Sequence, residues 1–149
     1  MAFLSSMNMV GSGLTAQQLR LDVISENVTN INTTRTAGGG AYRRQVVVLE
    51  EEGGIPSRFE QALARARGEA EPQQGGVRVA QILEDPSDFK LVYDPTHPDA
   101  NADGYVEYPN VDLIKEIADA MAANQAYSAN VTAFNTLKQV AAKGLEIGR

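Results

Sequence analysis

Apolar residues recur every three or four positions at both ends of the chain. Near the start, Phe3, Met7, Val10, Leu14, Leu21, Ile24, Val28 and Ile31 follow that spacing, with Gln17 as the break. Near the end, Leu113, Ile117, Ala120, Tyr127, Val131, Phe134, Ala141 and Leu145 repeat it, with breaks at Asn124 and Lys138. This is the period of an amphipathic helix with one apolar stripe. It predicts helices from about Ser5 to Ile31 and from near Asn110 to Gly148. At 1.5 Å per residue each is on the order of 40–55 Å long, more than a small middle region can cover. Ser5 or Ser6 is the expected first cap and Asn110, just after Pro109, the second, because a short polar side chain can accept the free N–H groups of a first turn. Gly11 and Gly13 weaken the first helix, and either admit a neighbouring backbone or mark a bend. Asn30, Asn32 and Gly38-Gly39-Gly40 end it.

The middle reads as β-rich. Tyr42 to Glu50 with its run Val46-Val47-Val48-Leu49, the alternation at Val77 and Val79, that at Phe89, Leu91 and Tyr93, and Tyr105–Tyr108 read as short strands separated by turns. Ser57 and Glu60 form a capping box that predicts a short helix or mobile excursion before Gly68 and Pro72. The expected class is therefore α+β: long terminal helices packed as a coiled-coil-like pair, with a small β-rich middle domain. The expected division is residues 1–36 and 110–149 as the two halves of a helical core, and 37–109 as the middle, with an insertion near 53–74.

Composition narrows the chemistry. The 149 residues carry a net charge of −6, which argues against nucleic acid and anionic lipid as partners. There is no cysteine and one histidine, so thiolate and His-cluster metal sites cannot be built. No run of 18 apolar residues is present, so no direct membrane insertion is expected. The N-terminus lacks the pattern of a cleaved secretory signal. Asp99-Ala100-Asn101-Ala102-Asp103-Gly104 matches the first half of a calcium loop, but its twelfth position is Asn110 rather than a bidentate Glu. An Asx-rich turn is the competing reading of that loop. His97 has no nucleophile beside it, and no clustered set of ionisable groups marks an enzyme.

Asn27 and Asn30 lie one turn apart near the end of the first helix. They either cap and face water, or bond a neighbouring helix and fix its register. With the two stripes they define the candidate subunit-interface residues: Leu14, Leu21, Ile24, Asn27, Val28, Asn30 and Ile31 on the first helix, and Ile117, Met121, Tyr127, Asn130, Val131, Phe134 and Leu145 on the second. No catalytic, metal or cofactor residue is expected.

Ser12-Gly13-Leu14-Thr15-Ala16-Gln17-Gln18 and Leu21-Asp22-Val23-Ile24-Ser25-Glu26-Asn27-Val28-Thr29-Asn30-Ile31-Asn32-Thr33 resemble the N-terminal signature of flagellar axial proteins of rod type. Lys90-Leu91-Val92-Tyr93-Asp94-Pro95, Gly104-Tyr105-Val106, Pro109-Asn110-Val111-Asp112, Tyr127-Ser128-Ala129-Asn130-Val131 and Leu145-Glu146-Ile147-Gly148 are similar to the proximal subtype of that family. The resemblance runs nearly end to end. It implies a non-enzymatic subunit of the periplasmic rod that transmits torque from motor to hook, exported by the flagellar type III apparatus without cleavage. It also implies neighbours of its own kind, of the FlgB, FlgF and FlgG types, and a FliE-type adaptor. A distal rod subunit and a small calcium-binding module remain the alternatives.

Overall fold

A computed structural model describes residues 2–53, 63, 66–67 and 75–147. The capping box at Ser57 and Glu60, and its stops at Gly68 and Pro72, lie outside the described residues. Two helices, α1 (Ala2–Thr29) and α2 (Leu113–Ile147), enclose four strands: β1 (Gln45–Glu51), β2 (Val77–Glu84), β3 (Lys90–Tyr93) and β4 (Tyr105–Tyr108). The class is α+β, as the two periodicities require.

The strands form two separate two-stranded sheets, β1 with β2 and β3 with β4. At the ends of the first ladder, Glu52 N–H donates to Gly76 O and Asp85 N–H to Arg44 O, so β1 and β2 run antiparallel. The second sheet is an antiparallel hairpin in which Lys90 faces Tyr108, Leu91 faces Glu107, Val92 faces Val106 and Tyr93 faces Tyr105. Tyr42, Arg43 and Arg44 precede β1 rather than belonging to it. Their backbone and side chains are drawn into other bonds, described below.

The chain divides into two compact units. One contains α1 up to Gln18, Leu49 to Glu51, Val77 to Ala80 and α2 from Gln125. In it the hydroxyl of Ser12 donates to Met9 O and accepts from Val77 N–H, fixing the start of β2 to α1. A side chain at Gly13 would meet the amide of Asn130 at 2.9 Å, so the glycine makes room for that side chain between the helices.

The other unit contains Leu19–Val48 and Gln81–Asn124. Its core is Val23, Ile24, Ala41, Val106, Pro109, Val111 and Ala123, all buried, together with two buried polar residues, Asn27 and Glu116. Here α1 and α2 are antiparallel, because Arg20 contacts Asp119 while Asn27, two turns later, contacts Glu116, earlier on α2.

Two expected caps move. Helix α1 already includes Ser5 and Ser6, so neither is its first cap. Helix α2 is capped by Asp112, not Asn110. The Asp112 carbonyl accepts the first helical bond from Glu116 N–H, and its carboxylate accepts from Ile114 N–H at 3.0 Å. Asn110 is occupied elsewhere.

A polar clamp and the candidate assembly surface

Asn27 lies on α1 with no exposed surface, and all four of its amide hydrogen-bonding positions are filled. Its Nδ2 donates to Gln45 O (2.9 Å) and to Glu116 Oε2 (3.1 Å). Its Oδ1 accepts from Gln45 N–H (2.9 Å) and from the Tyr42 hydroxyl (3.0 Å). The side chain thus pairs with Gln45 as a neighbouring strand would, while also tying α1 to α2. The register role considered for Asn27 is realised within one chain. Asn30 is local instead: its amide donates to Glu26 O and accepts from the Thr33 hydroxyl, closing the end of α1.

Glu116 is the second buried polar residue. Its Oε1 accepts from Arg44 Nε at 2.6 Å, and the same guanidinium reaches Asp119 (3.1 Å) and Asp85 (3.5 Å). A buried carboxylate is tolerable only with such charge-assisted partners, since desolvating an isolated ion costs several kcal/mol. Burial acts to lower the pKa of Arg44. The hydrogen bond and charge of Glu116, followed by the charges of Asp119 and Asp85, outweigh it and hold the guanidinium above its ordinary value. The Tyr42 hydroxyl is raised by burial first, and then by the carboxylates of Glu26, Glu116 and Glu84. Asp85 is lowered, chiefly by hydrogen bonds from the backbone and side chain of Ser87, with Arg44 adding to them.

Asn110 completes the arrangement from the other side. Its Oδ1 accepts Arg44 N–H at 2.8 Å, and its Nδ2 donates to Asp85 O, Ser87 O and Ser87 Oγ. Two consecutive backbone N–H groups, of Arg44 and Gln45, are thus held by two asparagine side chains 83 positions apart in sequence, Asn27 and Asn110. The clamp is a device for fixing one arrangement of α1, α2 and the start of β1.

The expected stripe on α2 mixes two faces of the helix. The inward positions are Glu116, Ala120, Ala123, Tyr127, Asn130, Phe134, Leu137 and Ala141, in steps of four and three, all buried or half-buried. The large side chains Leu113, Ile114, Ile117 and Met121 are exposed, Ile114 by 80% and Met121 by 68%. At 3.6 residues per turn Ile114, Ile117 and Met121 form a second stripe, on the side away from the seam. Of the other candidate residues, Ile24 is buried, and Leu14, Leu21, Val28 and Ile31 are half-buried. Val131 and Leu145 are exposed.

The Asp99 loop is held by hydrogen bonds of its own and by bonds to Thr34 and Arg35. Asn101 Oδ1 accepts from Asp103 N–H and Tyr105 N–H, the bonding of an Asx turn. The Asp99 carboxylate is taken by the Thr34 hydroxyl and by Arg35. His97 Nδ1 accepts from Asp99 N–H.

The sequence finds its counterparts among flagellar proteins. A family model described as flagella basal body rod protein matches residues 7–35. One described as flagellar basal body rod FlgEFG protein C-terminal matches residues 102–147. The chain is 46% identical over 148 residues to the flagellar basal-body rod protein FlgC of Bacillus subtilis (strain 168), with 97% of each chain covered. It is 40% identical over 159 residues to FlgC of Borreliella burgdorferi, with 99% of this chain and 98% of the relative covered. With FlgC of Salmonella typhimurium it shares 36% identity over 149 residues, and both chains are covered completely. The chain belongs to the FlgC family of flagellar basal-body rod proteins. It is a structural subunit of the proximal rod of the flagellar basal body, and its similarity to these relatives embraces both helices and the strands between them. Among the described residues no helix is long and apolar enough to cross a membrane.

Proposed function

We propose that the subunit builds the rod with the outward faces of its two helices, while the inward faces bind each other. The observation that carries this is the exposed stripe Ile114, Ile117 and Met121 on α2, with Leu113 beside it. Exposed apolar side chains gathered on one helix face mark an interaction surface, whereas single scattered ones do not. A contact of this kind between unlike surfaces does not close on itself, and repeated it generates a helical tube.

In this reading residues 1–36 and 110–149 make the wall of the tube, and 37–109 adds lateral contacts farther from its axis. The candidate residues with free surface, Ile117, Met121, Val131 and Leu145, meet other subunits. Ile24, Asn27, Tyr127, Asn130 and Phe134 serve the interface indirectly, by holding the helix pair in shape. The neighbours are copies of the chain, rod subunits of the FlgB, FlgF and FlgG types and a FliE-type adaptor. Delivery is by the flagellar type III export apparatus, without cleavage. The role is mechanical: the chain is not an enzyme, binds no cofactor, nucleic acid or metal, and does not insert into the membrane.

The test is Ile117→Asp, alone and with Met121→Asp. Because both side chains are exposed, the monomer's stability is expected to change by no more than about 0.5 kcal/mol. Swimming and recovery of the chain in purified basal bodies are expected to be lost. A motile strain with normal incorporation would overturn the reading.

A further inference from the structure

The hairpin presents a second unpartnered surface. Strand pairing puts Leu91, Tyr93, Tyr105 and Glu107 on one face, and Leu91 and Tyr93 are 63% and 65% exposed. The face is held rigid. The rings of Tyr93 and Tyr105 meet edge to face with centroids 5.3 Å apart. Gly104 adopts φ +80°, and a side chain there would come within 2.9 Å of the Tyr93 ring and 3.3 Å of Pro95. The tyrosine is therefore seated on bare backbone, which reduces the entropy lost when a partner covers it.

The surface around it is mostly acidic, and Arg35, which lines the same cleft as Tyr105 and Glu107, is bonded to Asp99. From Leu91 to Ile114 the chain has Asp94, Asp99, Asp103, Glu107 and Asp112 and no lysine or arginine. Hydrogen bonds from Thr96 hold Asp94 below its ordinary pKa, so it is ionised at neutral pH. An apolar platform in an acidic setting calls for a partner with apolar anchors among basic groups.

Such a segment lies toward the end of α2, before Glu146. From Ala120 to Leu145 its only charged side chains are Lys138 and Lys143. Val140 is 61% exposed, and Lys143 lies one turn beyond it on the same face. Gly144 beside them has nothing within 4 Å of where a side chain would begin, leaving space for close approach.

We propose that the β3–β4 hairpin face of one copy docks on the Val140–Lys143 face of α2 in a second copy, Val140 covering Leu91 and Tyr93 and Lys143 meeting Glu107. The proposal rests on the rod reading and adds which surfaces meet. The contact is heterologous, so each copy offers one donor and one acceptor surface.

The absence of cysteine from the natural chain makes the test direct. Full-length Leu91→Cys and Val140→Cys chains, mixed and mildly oxidised, are expected to form a mixed disulfide in clear excess over Leu91→Cys mixed with Ser128→Cys. Sedimentation supplies the second arm. Glu107→Lys and Lys143→Glu are each expected to weaken self-association roughly tenfold, and the chain carrying both changes to recover it, because like charges at an interface repel and the swap restores attraction. No excess of the mixed disulfide, or no recovery in the doubly changed chain, would overturn the proposal. So would cross-linking of Leu91→Cys in cells only to a different rod protein. Since these measurements read contact between copies and not motility, a negative result removes this contact and leaves the rod role to its own test.

Discussion

The two compact units are held by different means. In the unit containing Asn27 and Glu116, seven apolar residues are buried among the described ones: Val23, Ile24, Ala41, Val106, Pro109, Val111 and Ala123. The clamp adds directional bonds, Asn27 donating in two of them and accepting in the other two. In the other unit Ala16 alone is buried among the described apolar residues, and Gly13 makes room for the Asn130 side chain between the helices. That unit leaves Leu4, Met9, Val140 and Leu145 exposed. The clamped unit thus has a core of its own and still offers the Ile114–Met121 stripe and the hairpin face to neighbours, whereas the other unit has little buried apolar core with which to stand alone. Specificity is concentrated where buried polar groups can enforce a register.

Breaking the clamp is the severest way to erase this difference. Arg44→Ala leaves the Glu116 carboxylate buried without its cation, a situation that costs about 3–5 kcal/mol. Urea melts of the full chain should show this loss, and a loss below about 1 kcal/mol would mean that the network is incidental. A smaller effect is expected from the cap. Asp112→Ala removes the acceptor for Ile114 N–H and should cost about 1 kcal/mol in the same melts, distinguishing it from the outward Ile114 side chain, whose removal should not. The smallest effect is that of acid. The folded-state pKa of Asp85 lies below its ordinary value of 3.8. Its contribution is therefore complete above that value and fades as the pH falls through the lower, folded-state one. Asp85→Asn should flatten the acid limb of the stability curve in that window, and an unchanged limb would remove Asp85 from the account.

Much of this was legible in the sequence, and the failures have one cause. Spacing located α1 and α2 because a helix repeats locally. Alternation located β1 to β4 for the same reason, and the signature around Asn27 gave the family. What spacing alone misjudged was which side of α2 faces in. Ranking side chains by hydrophobicity selects Ile117 over Glu116, yet Glu116 faces in because Arg44 and Asn27, both distant in sequence, are there to satisfy it. Asn110 was read as a cap for a related reason. Its residue type suits either role, and only the approach of Arg44 N–H and Ser87 decides between them. A second series of four-three steps, from Glu116 through Ala123 and Asn130 to Ala141, was present in the sequence and could have signalled the true seam.

The central claim is that the clamped and unclamped stretches of the same two helices differ in stability before assembly. Hydrogen exchange on the full-length monomer, resolved by peptide, measures this most directly. The account predicts strong protection at residues 20–28 and 116–123 around Asn27 and Glu116, and much faster exchange at residues 3–12 and 131–145, with the difference vanishing once subunits assemble. Equal protection along both helices in the monomer would contradict it, and would make the subunit a uniformly folded bundle whose clamp confers no local advantage.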